Sequence, residues 1–411
     1  MSAAAAAPHR PPGGRSLFIT GLGVGQVISW GTLYYSFPLI AQAMGVELGW
    51  SKAELYGAAT LGLALAGLVA YPVGAGIDAG YGRLIMAGGS VLAGLLFMLW
   101  SQAESMALFY LAVAGIGAMQ AATLYDPAFA VVARRVGPLQ ARGGITALTL
   151  WGGFASTVFI PLVQLLLDAV GWRDTLMILG AINILVAAVL NFVVIDPRAD
   201  APIAPPRPQD EAPGRSAIAE VMRQPAFWAL AIAFTAYAVV FSGFTFHAYP
   251  LLIERGFDTH TVVSAIAIIG PAQVTGRIAL WVLAPRAPMR LVGALAVAEF
   301  PVAFLALEFM PPDFVWVALF GMVFGAVNGI TTIVRGLVVP EMLTRRAYGA
   351  VNGAMAVPAT IARALAPVGM AGLWTLTGSY DAVLTAIILA ALVVAAGFWS
   401  AVFFTRGADR V

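Results

Sequence analysis

Three arginines lie inside long apolar stretches of this chain: Arg277, Arg335 and Arg363. An arginine at the centre of a lipid bilayer costs about 2.5–3.5 kcal/mol, so each needs a wet cavity, a counter-ion or a ligand. Its guanidinium carries a planar fork of N–H donors that matches a carboxylate. Each of these guanidinium groups is therefore suited to binding a small organic anion. The alternative is that each is permanently paired with a protein carboxylate and only holds helices together.

The composition of the chain identifies the elements that must position these arginines. Of 411 residues, 61% are hydrophobic and 10% are charged, whereas a soluble domain has about 25% charged residues. Apolar runs of about 18 residues or more recur, long enough to cross a bilayer as helices. The ten-residue alternating segments of a membrane β-barrel are not seen in the sequence. These features predict an all-α membrane protein.

Twelve membrane spans are predicted, in two halves of six. The spans are 17–41, 54–76, 84–102, 106–132, 144–168, 174–195, 227–252, 261–284, 290–309, 314–338, 348–376 and 381–404. The N-terminal half is 17–195, the C-terminal half is 225–404, and the proline-rich residues 196–224 form a cytoplasmic linker. Residues 1–16 and 405–411 are predicted cytoplasmic tails, the first of them disordered. The halves look like repeats, because spans 1 and 7 share a Gly-to-Pro interval and spans 5 and 11 share a late proline.

The basic residues predict the orientation, because basic loops near spans resist translocation. Only Lys52, Arg173 and Arg255 fall on one side of the predicted spans. The other side receives Arg10, Arg15, Arg83, Arg134, Arg135, Arg142, Arg198, Arg207, Arg215, Arg223, Arg286, Arg290, Arg345, Arg346, Arg406 and Arg410. Both termini are therefore predicted to be cytoplasmic, in a multi-pass protein of the inner (plasma) membrane.

Other polar and aromatic side chains complete the predicted site. Gln26, Trp30 and Tyr34 recur every fourth residue in span 1 and share one helical face, which is expected to line the cavity. Asp126 precedes a proline in span 4 and is expected either to exchange protons or to pair with an arginine. Arg335 is expected to have a gating or structural role, through an ion pair with Glu341 or Asp126 or by reaching the membrane surface.

The loop after span 2 reads Gly74-Ala-Gly-Ile-Asp-Ala-Gly-Tyr-Gly-Arg83 and resembles the cytoplasmic signature of the major facilitator superfamily. The strings Gly49-Trp50-Ser51, Gly171-Trp172-Arg173 and Gly276-Arg277 resemble its monocarboxylate and oxalate/formate branch.

The resemblance implies the major facilitator fold, with the cavity lined by spans 1, 2, 4, 5, 7, 8, 10 and 11. Asp78 and Arg83 would then take part in gating. Arg277 would bind the anion together with Gln273, which stands where monocarboxylate carriers usually have an aspartate. Arg363 would fill the place of a second basic residue in span 11.

The predicted function is secondary active transport of a mono- or dicarboxylate by alternating access, as proton symport or anion exchange. The alternative is an exporter of neutral or cationic drug-like compounds on the same fold. Drug/proton antiporters of the superfamily typically carry an arginine in span 4, where this chain has Asp126. A membrane sensor or scaffold would require a larger soluble domain.

No enzymatic constellation, cofactor motif or metal-ligand spacing is found in the sequence, and no cysteine is present. A net charge of +2 gives no electrostatic basis for nucleic-acid binding. The expected partners are the small anion and the lipid bilayer, and a monomer is expected.

Overall fold

The computed structural model describes residues 12–136, 141–200, 219–284, 286–344 and 348–406. Ten helical stretches in these ranges are long and apolar enough to cross a membrane, judged by length and composition alone. Two of them, Lys52–Ser101 and Gly143–Ala199, contain 50 and 57 residues. A straight helix of 50 residues would be about 75 Å long, more than twice the thickness of the hydrocarbon core.

Both long stretches turn back at a glycine with positive φ, which side chains other than glycine rarely adopt. These are Gly80, with φ 97°, and Gly171, with φ 76°. Each break divides one stretch into two spans, so the ten stretches provide the twelve predicted spans. The all-α fold class is confirmed for the described residues, in which every regular element is helical.

The first six spans contain three π-helical turns, at Gly31–Tyr35, Ile77–Tyr81 and Asn183–Ala187. Span 1 runs through Pro12–Trp30, Gly31–Tyr35 and Phe37–Leu48, span 2 through Lys52–Gly76 and Ile77–Tyr81, span 3 is Gly82–Ser101, and span 4 comprises Met106–Thr123 and Tyr125–Val136. Span 5 comprises Ala141–Gly152 and the part of Ala155–Ile182 before Gly171, and span 6 is the remainder with Asn183–Ala187 and Ala188–Val194.

The last six spans are single helices. They are Pro225–Glu254, Thr259–Leu283, Met289–Phe309, Phe314–Met342, Tyr348–Thr377 and Tyr380–Arg406, numbered 7 to 12. Side-chain caps start several of them and satisfy N–H groups that have no partner within the helix. For example, a carboxylate oxygen of Asp258 accepts from the Thr261 N–H at 3.0 Å at the start of span 8.

Glycines allow neighbouring spans to approach closely around the predicted site. A Cβ atom on Gly276 of span 8 would lie 2.4 Å from the carbonyl oxygen of Ala326 in span 10. A Cβ on Gly329 would similarly lie 2.2 Å from the carbonyl oxygen of Gln273. Spans 8 and 10 are therefore in backbone contact in the helical turn before Arg277.

The first helix begins at Pro12, inside the predicted disordered tail 1–16. Proline is well suited to the first turn of a helix, and the apolar run follows directly. The rest of the predicted N-terminal tail, most of the linker (201–218) and the C-terminal residues 407–411 lie outside the described residues. So do the predicted inner-side cations Arg10, Arg207, Arg215, Arg345, Arg346 and Arg410. The boundaries of the two halves stay a prediction.

Candidate functional site

Arg277 lies in span 8 and reaches across to span 5. Its Nη1 donates to the carbonyl oxygen of Thr149 at 2.7 Å, and its Nε donates to that of Gly329 in span 10 at 3.4 Å. The side chain is half-buried. Both partners are neutral carbonyl groups, and Arg277 is in none of the ion pairs formed among the described residues. Its positive charge is therefore available to an anion.

Arg363 lies in span 11 and is also half-buried. Its backbone carbonyl accepts from the Ser242 hydroxyl of span 7 at 2.8 Å, which fixes the two spans at this level. Within the described part of the chain, its Nε is buried with no hydrogen-bond partner, and Arg363 forms no ion pair with a carboxylate. A buried donor without an acceptor is costly, so this group is suited to an acceptor on a ligand.

The aromatic face of span 1 is flanked by the two arginines. Tyr34 interacts electrostatically with Arg363, and Tyr35 interacts electrostatically with Arg277. Trp30 contacts both tyrosines, with ring centroids 5.3 Å and 6.3 Å away. The aromatic residues Tyr34 and Tyr35 of span 1 therefore lie in the electrostatic range of the two cations.

Two donors on this face lack acceptors among the described residues. The Trp30 Nε1 and the Tyr34 hydroxyl are buried and have no hydrogen-bond partner there. Ser242 lies near Tyr34, and its hydroxyl donates to the carbonyl of Arg363. Together with the Arg363 Nε, these groups are three donors that an anion's oxygens can satisfy.

The C-terminal half brings its intramembrane arginines to one tyrosine. Tyr237 of span 7 interacts electrostatically with Arg277, Arg335 and Arg363. Its hydroxyl donates to the Oδ1 of Asn328 in span 10. Sequence analysis missed Tyr237, because its proximity to the arginines depends on how span 7 is placed against spans 8, 10 and 11.

Arg335 is half-buried in span 10, with its guanidinium carbon 6.0 Å from the ring centroid of Phe234. Glu341, one of its two predicted partners, accepts from the backbone N–H groups of Met289 at 2.7 Å and Arg290 at 3.2 Å. Glu341 thus caps the start of span 9.

The two predicted glutamines are both buried in the spans. Gln26 donates through Nε2 to the carbonyl of Thr123 at 2.8 Å, and its Oε1 has no partner among the described residues. Gln273 lies one helical turn before Arg277 and lines a cavity between spans 1, 5, 7, 8 and 10.

Asp126 is exposed at a break in span 4. The backbone is extended at Leu124, and a new helix starts at Tyr125 with Asp126 in its first turn. There the helix dipole favours a carboxylate. Asp126 forms no ion pair with any described residue, so its expected pairing with an arginine is not seen in the described structure.

Asp78 and Arg83 lie on either side of the turn at Gly80. Arg83 donates to the carbonyl of Ile195 and pairs with Asp196 at 3.4 Å, and both partners follow span 6. The backbone carbonyl of Asp78 accepts from Arg134 of span 4. Both residues therefore connect spans of the N-terminal half.

The two halves meet at the end of the bundle opposite the predicted cytoplasmic loops, which we call the outer end. Lys52 at the start of span 2 lies 3.7 Å from the ring centroid of Trp374 and 4.3 Å from that of Tyr380. Its Nζ is 3.9 Å from a carboxylate oxygen of Glu254 at the end of span 7. These four residues form the outer contact cluster, which sequence analysis missed: Lys52 was noted only for its charge.

His247 lies below this cluster and joins three spans of the C-terminal half. Its Nε2 donates to the carbonyl of Pro367 at 2.9 Å, and its Nδ1 accepts from the Tyr380 hydroxyl at 3.0 Å. Its ring stacks on that of Tyr56 in span 2, with centroids 4.2 Å apart. The Tyr56 hydroxyl donates to the carbonyl of Phe246 at 2.8 Å, so the halves are closely packed here.

Twelve spans, intramembrane arginines and contacts between helices of the two predicted halves are the features of a multi-pass transport protein that acts on a small molecule. The chain matches the Major Facilitator Superfamily over residues 22–367 and belongs to that family. It is a transport protein and not an enzyme.

The predicted monocarboxylate-like branch is supported by a human relative, monocarboxylate transporter 11. The two proteins are 30% identical over 212 residues, which is 49% of this chain and 43% of the relative. The match thus spans less than half of that protein's length.

Solved structures of low sequence identity share the fold. One is a bacterial homologue of the human lysosomal transporter Spinster in an inward-facing, unoccupied conformation, with a TM-score of 0.72 and 16% identity over 97% of this chain and 99% of that one. Another is the nucleoside transporter NupG, with a TM-score of 0.72 and 12% identity over 94% of this chain and 98% of that one. At these identities the likeness concerns the fold alone.

Proposed function

We propose that this protein is a secondary transporter of a small organic anion, a mono- or dicarboxylate, working by alternating access. The observation that supports this is the pair Arg277 and Arg363. Both guanidinium groups are half-buried in membrane spans, and neither forms an ion pair with a carboxylate among the described residues. Placing an arginine inside a membrane span is energetically unfavourable, so an arginine found there indicates a functional site.

The geometry suggests how an anion is bound. Its oxygens accept from the Arg363 Nε, the Trp30 Nε1 and the Tyr34 hydroxyl, three buried donors without a hydrogen-bond partner among the described residues. Hydrogen bonds to an ionised group are about twice as strong as neutral ones, and a low local dielectric strengthens them. Trp30 and Tyr34 belong to span 1 and Arg363 to span 11, so one bound carboxylate would connect the two predicted halves.

The same arrangement supports alternating access. The outer contact cluster holds the halves together at one end, and it must open for the site to face that side. A bound anion offsets the repulsion between the two guanidinium groups and lets the halves close around it. Energy comes from a gradient, through proton symport or exchange of a second anion, with Asp126 as the candidate proton carrier.

The charge of the site favours an anion over the alternative cargo, a neutral or cationic drug. Three arginines interact electrostatically with Tyr237, and in a low-dielectric site they would repel a cation strongly. The name of the human relative, monocarboxylate transporter 11, points to the same class of substrate.

The test is uptake of radiolabelled carboxylates into proteoliposomes by the Arg277→Gln and Arg363→Gln variants. Losing a charged hydrogen bond costs about 1.5–3 kcal/mol, so we expect uptake at low substrate concentration to fall by about tenfold or more in each. The control is Arg173→Gln, which removes a cation that pairs with Glu47 at the outer surface, within the N-terminal half. Unchanged uptake in both arginine variants would reject the proposal.

A further inference from the structure

A cavity adjoins Arg277 on the outer side of the proposed site. It lies between spans 1, 5, 7, 8 and 10, and most of its lining is apolar. The apolar residues that matter here are Leu39, Phe241, Phe244, Ile266, Ile269 and Phe324. We call this space the apolar cavity.

The apolar cavity and Arg277 are connected by two residues. Gln273 lines the cavity and lies one turn before Arg277, so both side chains lie on the same face of span 8. Tyr35 also lines the cavity and interacts electrostatically with the Arg277 guanidinium. The cavity therefore begins within one helical turn of Arg277, and the body of a molecule whose carboxylate is held there can extend into it.

The chemistry of the lining decides what kind of group fits there. Its polar side chains other than tyrosine are Ser156, Thr245 and Gln273, and none of the lining residues carries a charge. A second carboxylate placed in this space would lose its hydration without a cationic partner, which is strongly unfavourable. An apolar group gains instead, and each buried methylene strengthens binding about fourfold.

We propose that the substrate is a monocarboxylate with a branched or aromatic apolar body. Its carboxylate lies at Arg277 and Arg363, and its body occupies the apolar cavity. This inference rests on the proposed anion transport and narrows its substrate class. The inference favours monocarboxylates over dicarboxylates, the two substrate classes left open above, because a compact dicarboxylate carries a charge at both ends.

The experiment measures equilibrium binding of four probes to the purified full-length protein by isothermal titration. The probes are benzoate, 3-methylbutanoate, acetate and succinate. We expect benzoate and 3-methylbutanoate to bind at least tenfold more tightly than acetate, and succinate to bind more weakly than either. Binding of benzoate should be lost in Arg277→Gln.

Two variants of span 7 locate the apolar body. Ala248 lines the cavity, so Ala248→Leu should weaken benzoate binding about tenfold and leave acetate binding unchanged. Ala236, half-buried in the same helix and outside the lining, provides the control Ala236→Leu, which should affect neither probe.

The outcomes separate this inference from the proposed function. Tightest binding of succinate, lost in Arg277→Gln, would overturn the inference and leave anion transport standing. Equal binding of benzoate and acetate would overturn it in the same way. Failure of every carboxylate to bind a folded protein would overturn both.

Discussion

Removing the charge of Lys52 should open the outer end of the transporter. Lys52 belongs to the predicted N-terminal half, whereas its partners Trp374, Tyr380 and Glu254 belong to the C-terminal half. Lys52→Met keeps the apolar stem of the side chain and deletes the ammonium group. Glu254 stays satisfied, because it also accepts from the Trp374 Nε1 at 2.8 Å and the Tyr380 N–H at 2.6 Å.

The size of the effect follows from these contacts. The Lys52 side chain is only 19% exposed, and a cation–π contact of this kind is worth about 1–2 kcal/mol. The ion pair with the more exposed Glu254 adds about 0.5 kcal/mol. A total of about 1.5–2.5 kcal/mol changes the ratio of open to closed outer ends about 10- to 70-fold.

A single introduced cysteine can report this change, because the chain has none of its own. Thr245 lines the apolar cavity below the outer end. In intact cells, a membrane-impermeant thiol reagent should modify Thr245→Cys about 10- to 70-fold faster when Lys52→Met is also present. The measurement is the rate of modification.

Arg173→Met is the matched control. Arg173 is also an outer cation, but its partner Glu47 belongs to the same half, so the reagent should react at the parental rate. The reasoning is refuted if Lys52→Met leaves the rate unchanged, or if both variants accelerate it equally.

Three further changes test the turn, the helix packing and the coupling. Gly80→Ala should lower the melting temperature, because a left-handed residue with a Cβ costs about 1–2 kcal/mol. The control Gly74→Ala, with no atom within 4 Å of the added Cβ, should leave the melting temperature unchanged. Gly276→Ala should reduce anion uptake, because its Cβ would lie 2.4 Å from a backbone oxygen of span 10 and displace Arg277; Gly369→Ala, in open space, should leave uptake intact. Asp126→Asn should retain anion exchange but lose accumulation driven by a pH gradient, and retained accumulation would clear Asp126 of proton coupling.

The spans were predictable because the bilayer imposes length and composition on each segment separately. An apolar run long enough to cross the membrane can be recognised from its own residues. Because charged residues are rare inside such runs, Arg277 and Arg363 are easily noticed there. The turn at Gly80 was harder to locate, since Gly82 looks equally suitable in the sequence. Only the backbone shows that Gly80 adopts the positive φ.

The contacts between the halves were not predictable, because they depend on how distant helices are placed. The sequence contains no pattern that joins Lys52 to Trp374, more than 300 residues away, or that brings three arginines near Tyr237. An expected contact can also be missing. An ion pair between Asp126 and an arginine was expected from the sequence, but the break at Leu124 leaves the Asp126 carboxylate exposed.

The central claim is that the charge of the ligand is what the arginines recognise. The most direct measurement compares benzoate with benzamide, its uncharged isostere, for their effect on the melting temperature of the purified protein. A ligand that binds only the folded state raises this temperature. We predict that benzoate raises it in the wild type, but not in Arg363→Gln, and that benzamide leaves both unchanged. Equal stabilisation by benzoate and benzamide would contradict the account.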